Sequence, residues 1–381
     1  MSIKISRRSA ISPFLVMDVM ESARKLEAAG RDIVHMEVGQ PGTPAPRAAT
    51  ELLAERMAAR DPLGYTVALG LPELREGIAQ LYKTRHGLDL DPARVVITAG
   101  SSCAFILAFL AAFDAGDRVA LADPGYPAYR NILGALDLEV ARIETTLATR
   151  FQPTPQALDG VGAVDGLLVA SPANPTGTMI GRAGMTDLVE WCATRGTRFI
   201  SDEIYHGLTY GEDAVSALEV TDDAIVINSF AKYFSMTGWR IGWMVVPEDI
   251  IRTIENLSQN LFICPSHASQ VAALGALSAS EELENHRAVY AANRGHLMAA
   301  LPELGFDEIA PADGAFYVYA NIRELASDSA DFSRRLLEEG GVAATMGRDF
   351  DPVRGHETIR FSFARTEAEI LEGIRRLRAF V

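Results

Sequence analysis

Between about Arg94 and Val246 the chain repeats one pattern: a short, almost wholly apolar run, then a longer stretch whose apolar residues recur at helical spacing. The apolar runs are Arg94–Thr98, Arg118–Leu121, Leu138–Arg142, Leu167–Ala170, Arg198–Ser201, Ala224–Asn228 and Gly242–Val246. Continuous rather than alternating hydrophobicity marks strands that are covered on both faces. Ser101–Asp114 and Met185–Arg195 are helical stretches between them. Such alternation predicts an α/β domain, a mainly parallel seven-stranded sheet flanked by helices and joined by right-handed crossovers.

The two ends of the chain read differently. After Pro265 helical periodicity dominates to about Leu301, followed by strands near Ala315–Ala320 and Glu357–Phe363 and a last helix, Glu367–Phe380. At the start, Ser12–Ala29 is an amphipathic helix and Asp32–Val38 is strand-like. The turn-rich Gly39–Pro46 then separates them from a helix over Arg47–Arg60. These ends predict a smaller α+β domain made of residues 1–45 and 281–381, set against a large domain over residues 46–280.

Composition narrows the class. The 381 residues are 48% hydrophobic, enough for a large core. Thirty-five basic against fifty acidic side chains give a net charge of −15, which argues against nucleic acid or an anionic membrane as partner. Cys103, Cys192 and Cys264 are isolated, without paired or metal-ligand spacing, so the reading is no metal site and a reducing, cytoplasmic compartment. Met1–Ala10 is basic but no long apolar signal region follows, and no stretch reaches transmembrane length.

Within this frame Lys232 stands apart. It is one of only four lysines and lies in the run Ser229–Arg240, which follows the apolar strand Ala224–Asn228. Arginine-for-lysine bias explains the scarcity but not the position. A buried lysine must be paired or lose its charge, and a desolvated amine is what Schiff-base chemistry needs. Other chemistry-bearing residues fall at strand C-termini, where open parallel sheets bind ligands. Thr98–Cys103 joins a strand to a helix through small and hydroxyl residues, a turn that serves either as a simple N-cap or as a phosphate site. Ser229 and Arg240 add a hydroxyl and a bidentate fork for the same dianion. Three phosphate-binding elements beside one buried lysine point to pyridoxal 5′-phosphate.

Asp202, after the strand Arg198–Ser201, either caps a turn or bonds a protonated pyridine nitrogen. Asn174 lies in a Pro-Gly turn that ends the preceding strand, where it can donate to the cofactor's phenolic oxygen. Tyr126, in Asp123-Pro124-Gly125-Tyr126-Pro127, offers a stacking face or simply packs its loop.

Taken together, several segments resemble the class I/II, fold-type-I aminotransferases. They are Ser229-x-x-Lys232 with Arg240 eight residues on, Asn174-Pro175-Thr176-Gly177, Asp202-Glu203-Ile204-Tyr205, and Gly64-Tyr65-Thr66 followed by Gly70-Leu71-Pro72-Glu73-Leu74-Arg75. The resemblance runs from Val38-Gly39-Gln40-Pro41 to Arg360-Phe361-Ser362-Phe363-Ala364. It implies an enzyme that moves an amino group from an L-amino acid to a 2-oxo acid in a ping-pong scheme, with Lys232, Asp202 and Tyr205 catalytic. Lys232 would carry the cofactor as a Schiff base, Asp202 would pair with the ring nitrogen, and Asn174 and Tyr205 would contact the ring oxygen. Tyr126 would stack on the ring, while Gly100, Ser101, Ser102, Ser229 and Arg240 surround the phosphate. Tyr65 would reach the neighbouring subunit's cofactor, which implies a homodimer with shared active sites. Gly39, Asn174 and Arg360 would take the substrate carboxylate.

The turn Gly39-Gln40-Pro41-Gly42 departs from the family's Gly-Glu-Pro-Asp pattern near the substrate mouth. Ser12–Met20 is expected to form a mobile lid, made apolar by Phe14, Leu15 and Met17, which favours a neutral or aromatic donor. No second arginine is assignable to a side-chain carboxylate, so aspartate as donor is neither supported nor excluded. The cofactor-binding residues would equally serve a β-eliminating carbon–sulfur lyase, the alternative reading. A ligand-sensing regulator on this fold would need a DNA-binding module, and the enzyme-like region starts almost at once.

Overall fold

In the computed structural model, which describes residues 3–381, the seven apolar runs pair into one sheet. The first two positions of the basic Met1–Ala10 run lie outside the described residues. The spatial order is Val95–Thr98, Gly242–Val245, Ile225–Ser229, Arg198–Asp202, Gly166–Ala170, Arg118–Asp123 and Glu139–Glu144. Only Gly242–Val245 runs against its neighbours; the other pairings are parallel. Strand ends differ from the sequence-based expectation by one or two residues.

Each strand sends alternate side chains to opposite layers. Val96, Leu168, Ile200, Ile227 and Met244 belong to one apolar cluster with the helix Ser101–Ala112. Ile97, Val169, Phe199, Val226 and Trp243 belong to a larger cluster on the other face. Burial on both faces explains why the inner strands read as unbroken apolar runs. The edge strand Glu139–Glu144 is less completely covered: Ala141 and Ile143 are buried, while Glu139, Arg142 and Glu144 are exposed.

The smaller sheets draw on both ends of the chain. Tyr317–Asn321, Thr358–Ser362 and Thr345–Met346 form an antiparallel three-stranded sheet, and Val34–His35 pairs in parallel with Val342–Ala343. The strand expected over Asp32–Val38 is thus only two residues long. Its physical reason lies in the next carbonyls: Met36 O turns to Ser362 N in the other small sheet, and Glu37 O accepts the Thr345 hydroxyl and the Arg360 guanidinium instead of a backbone N–H. The helix expected from Ser12 begins at Leu15, and the helix from Arg47 ends at Ala58. A helix over Ser329–Glu338, started by the Asp328 carboxylate accepting Ala330 N, was not anticipated.

Among the described residues no helix is long and apolar enough to cross a membrane. The helices Arg47–Ala58 and His267–Ala276 pack backbone to backbone at Gly275, where a Cβ would lie 2.4 Å from Ala48 O. Alanine is the better helix former, yet here overpacking outweighs propensity. Gly275→Ala is therefore expected to cost about 1–3 kcal/mol. Chemical denaturation should show an earlier midpoint; an unchanged or later one contradicts this packing.

Candidate active site

The C-terminal ends of the parallel strands open into a cavity of about 200 Å³. Its lining includes Gly39, Ser101, Ser102, Tyr126, Asn174, Asp202, Tyr205, Lys232, Arg240 and Arg360. With Phe14 also in the lining, residues up to 346 positions apart in sequence are thereby brought into one space.

Lys232 is aimed by its neighbours. Phe230 and Phe234 pack with tilted rings, centroids 4.7 Å apart, and Phe230 also meets Trp243 at 5.0 Å, anchoring the turn in the core. The Thr237 hydroxyl donates to Ala231 O at 2.8 Å and tightens the same turn. With Phe230, Tyr233 and Phe234 buried, Lys232 is left to point into the cavity, where Nζ donates to Gly39 O at 2.6 Å. Desolvation, aided by repulsion from Arg360 and Arg240 and opposed by Asp202, lowers its pKa to about 8.

Asp202 ends the strand Arg198–Asp202. The Tyr129 hydroxyl donates to one carboxylate oxygen, and Ile204 N donates to the other at 3.1 Å. Burial outweighs these bonds and the attraction of Lys232, so its pKa rises to about 6. The Tyr205 hydroxyl pairs with that of Tyr317 at 2.7 Å. Tyr317 reaches this place only because residue 39 is glycine: a Cβ there would lie 2.0 Å from its hydroxyl oxygen.

Arg360 is buried between the rings of Tyr317 and Phe350, at 4.4 and 4.6 Å from their centroids. It donates to Asn174 Oδ1 at 2.8 Å, to Thr345 Oγ1 at 3.2 Å and to Glu37 O. Its Nε is buried without a hydrogen-bond partner. Opposite, the helix Ser101–Ala112 starts with no side-chain cap and no acid in its first turn. Gly100 precedes it at φ +78°, ψ 171°, a conformation that is essentially glycine's alone, and packs on the Arg240 guanidinium. Uncapped N–H groups, the helix dipole and an arginine fork make an anion cradle.

Three predicted residues do not line this space. Gly100 lies just behind Ser101. Ser229 is 1% exposed; its hydroxyl donates to Ile241 O and accepts Ala231 N, both at 3.0 Å, and so serves the Lys232 turn. Tyr65 is 84% exposed on the outer surface. Conversely, Tyr129, Tyr317 and Thr237 line the cavity and were not anticipated. Tyr129 had a faint signal, three residues after Tyr126 in the helix Pro127–Ala135; Tyr317 sits in an apolar strand and looked like core. Of the expected lid, Phe14, Val16 and Met17 reach the cavity, and Leu15 does not.

The sequence matches the family model for class I and II aminotransferases over residues 31–377. It is 46% identical to the valine–pyruvate aminotransferase of Mycobacterium tuberculosis, over 99% of this chain and 98% of that protein. A solved aminotransferase structure from the same organism superposes with a TM-score of 0.97 at 45% identity, covering 99% of each chain. A protein of solved structure from Silicibacter pomeroyi is 56% identical, with a TM-score of 0.94 and 99% of each chain covered.

The environment of Asp202 has a measurable signature. In cofactor-free protein its carboxyl carbon should titrate near pH 6 in a ¹³C NMR series, with the carboxylate present above that value. Tyr129→Phe removes the donor that favours the ionised form, so the midpoint should move upward. A midpoint near 4 in the parent protein, or a downward move in the variant, refutes the assignment of burial as the dominant influence.

Proposed function

Since the chain belongs to the class I and II aminotransferases, we propose that it transfers the amino group of a neutral, apolar L-amino acid to a 2-oxo acid, with pyridoxal 5′-phosphate as cofactor. The observation that carries this reading is the meeting of Lys232 with Asp202 and an anion cradle in one cavity. Among the lining residues three cations, Lys232, Arg240 and Arg360, face a single acid, Asp202. That imbalance suits a ligand pair bearing a phosphate and a carboxylate.

The residues fit the cofactor. Ser101, Ser102 and Arg240 would hold its phosphate beside Gly100, and Ser229 would join once its hydroxyl leaves Ile241 O. Tyr126 would lie on the ring, and Asp202 would accept from the ring nitrogen. Asn174 and Tyr205 would hold the phenolic oxygen, and Lys232 would carry the group covalently. When bound, it supplies an electron-withdrawing ring that takes up the charge left as the donor's Cα–H is broken. Lys232 is suited to moving that proton, because a pKa of about 8 keeps amine and ammonium both accessible near neutral pH. Gly39, Asn174 and Arg360 would fix the substrate carboxylate, Arg360 already being oriented by stacking and by Glu37 O.

The donor preference rests on the wall opposite. Phe14, Val16, Met17 and Ile204 present apolar surface, and the lining has no arginine beyond Arg240 and Arg360. The name of the Mycobacterium tuberculosis relative supports the same class of donor. The β-eliminating lyase reading has no observation in its favour. Tyr65 and Val67 are exposed, as are Leu261 and Ile263, whose segment meets theirs through bonds of Ser258 to Ala68 O and of His267 to Gly64 O, and we read this surface as the face of a homodimer with shared active sites. Three unpaired cysteines fit a cytoplasmic setting.

A screen of donors against pyruvate and 2-oxoglutarate tests the proposal. Valine should exceed aspartate in kcat/KM by about tenfold or more, since an unpaired carboxylate on the apolar wall costs at least the ~1.4 kcal/mol of one decade. Lys232→Ala should lose on the order of a thousandfold or more in turnover. A preference for aspartate, or turnover kept without Lys232, overturns the reading. Tyr65→Phe should release cofactor faster on dialysis while the protein stays dimeric by sedimentation; unaltered retention argues against a shared site.

A further inference from the structure

The helix Leu15–Ala28 begins without a cap of its own: Phe14 occupies the N-cap position and offers no side-chain acceptor. The missing acceptor comes from the far end of the chain. Asp349 Oδ1 accepts Leu15 N at 3.1 Å and Oδ2 accepts Val16 N at 3.2 Å, across 334 and 333 residues. The carboxylate is 1% exposed, so water does not compete, and its charge suits the positive end of the helix dipole. Asn131 Nδ2 adds a bond to Ser12 O at 3.3 Å just before the helix. The residues so held, Phe14, Val16 and Met17, are the apolar wall of the cavity.

The turn that carries Asp349 meets the site on other sides as well. Gly347 packs so closely that a Cβ would lie 2.0 Å from Thr358 Oγ1, and Asp349 O accepts the Arg130 guanidinium. Phe350 carries the Arg360 guanidinium on its ring, and its carbonyl accepts Gly125 N at 3.1 Å. The next residue, Tyr126, meets the ring of Phe14 edge-on at 5.8 Å. One rigid turn thereby sets the apolar wall relative to the arginine and the aromatic face.

We infer that Asp349 is a positioning residue for selection of the donor side chain: by capping the helix Leu15–Ala28 it holds Phe14, Val16 and Met17 against whatever the donor carries beyond Cβ. This rests on the proposed neutral, apolar donor. Lys232, Asp202 and Arg240 make no bond to Asp349, so the chemistry should survive its loss while discrimination declines.

The test compares valine with alanine, which lacks the branching methyls, in single-turnover release of oxo acid from holoenzyme. Asp349→Ala should raise the half-saturating valine concentration about fivefold, as loss of a helix cap implies, and leave alanine unchanged. Asp349→Asn keeps an oxygen acceptor and should restore part of the difference. Met17→Ala, at a 47% exposed position that does not threaten folding, should reproduce the valine-selective loss with Asp349 intact. Equal losses for both donors, or no change for valine, overturn the inference while a wild type that uses valine leaves the proposed function standing. A wild type that prefers aspartate overturns both.

Discussion

The structure turns on backbone carbonyls that leave a sheet too early. After Val34–His35 the chain stops pairing as a strand, and the carbonyls of Glu37 and Gly39 enter the interior without ladder partners. Buried carbonyls must be satisfied, and here side chains do it. Glu37 O takes Arg360 and Thr345; Gly39 O takes Lys232. A short stretch of one end of the chain therefore orients two of the cations that line the cavity. It also explains the glycine at 39, since the same close approach brings in Tyr317 and, through it, Tyr205. Extending the strand through Val38 would satisfy the backbone and dismantle the site.

The parts legible in the sequence were those with a local physical cause. Burial on both faces leaves unbroken apolar runs, so the seven strands of the large sheet could be read from pattern alone. Polar or reactive residues directly after such runs are costly to bury, which is why Lys232, Asp202, Asn174 and Ser101 were visible where they stand. What escaped depends on distant contacts. Tyr317 lies in an apolar strand, where a tyrosine that orders the site cannot be told from one that fills space. Asp349 looks like any acid in a turn until a helix start 334 residues away is set beside it. Ser229 shows the opposite limit: a hydroxyl of the right type is held by its own turn instead of facing the cavity.

The electrostatics of the site run against those of the whole chain. A net charge of −15 would repel anions if it acted as a uniform field. Screening confines exposed charges to roughly 8 Å at physiological salt, whereas groups enclosed in the cavity are screened far less. Buried Arg360, half-buried Lys232 and the uncapped helix start would therefore weigh more on an anionic ligand than the distant acidic surface does, with Arg240 exposed at the rim. The same enclosure sets the two pKa shifts in opposite directions. Burial disfavours charge on both Lys232 and Asp202, lowering the one to about 8 and raising the other to about 6. Each moves toward neutral pH, where a proton can be exchanged at modest cost. A site built from exposed residues of the same types would hold both groups fully charged and lose that property, so the apolar lining is part of the chemistry as well as of the packing.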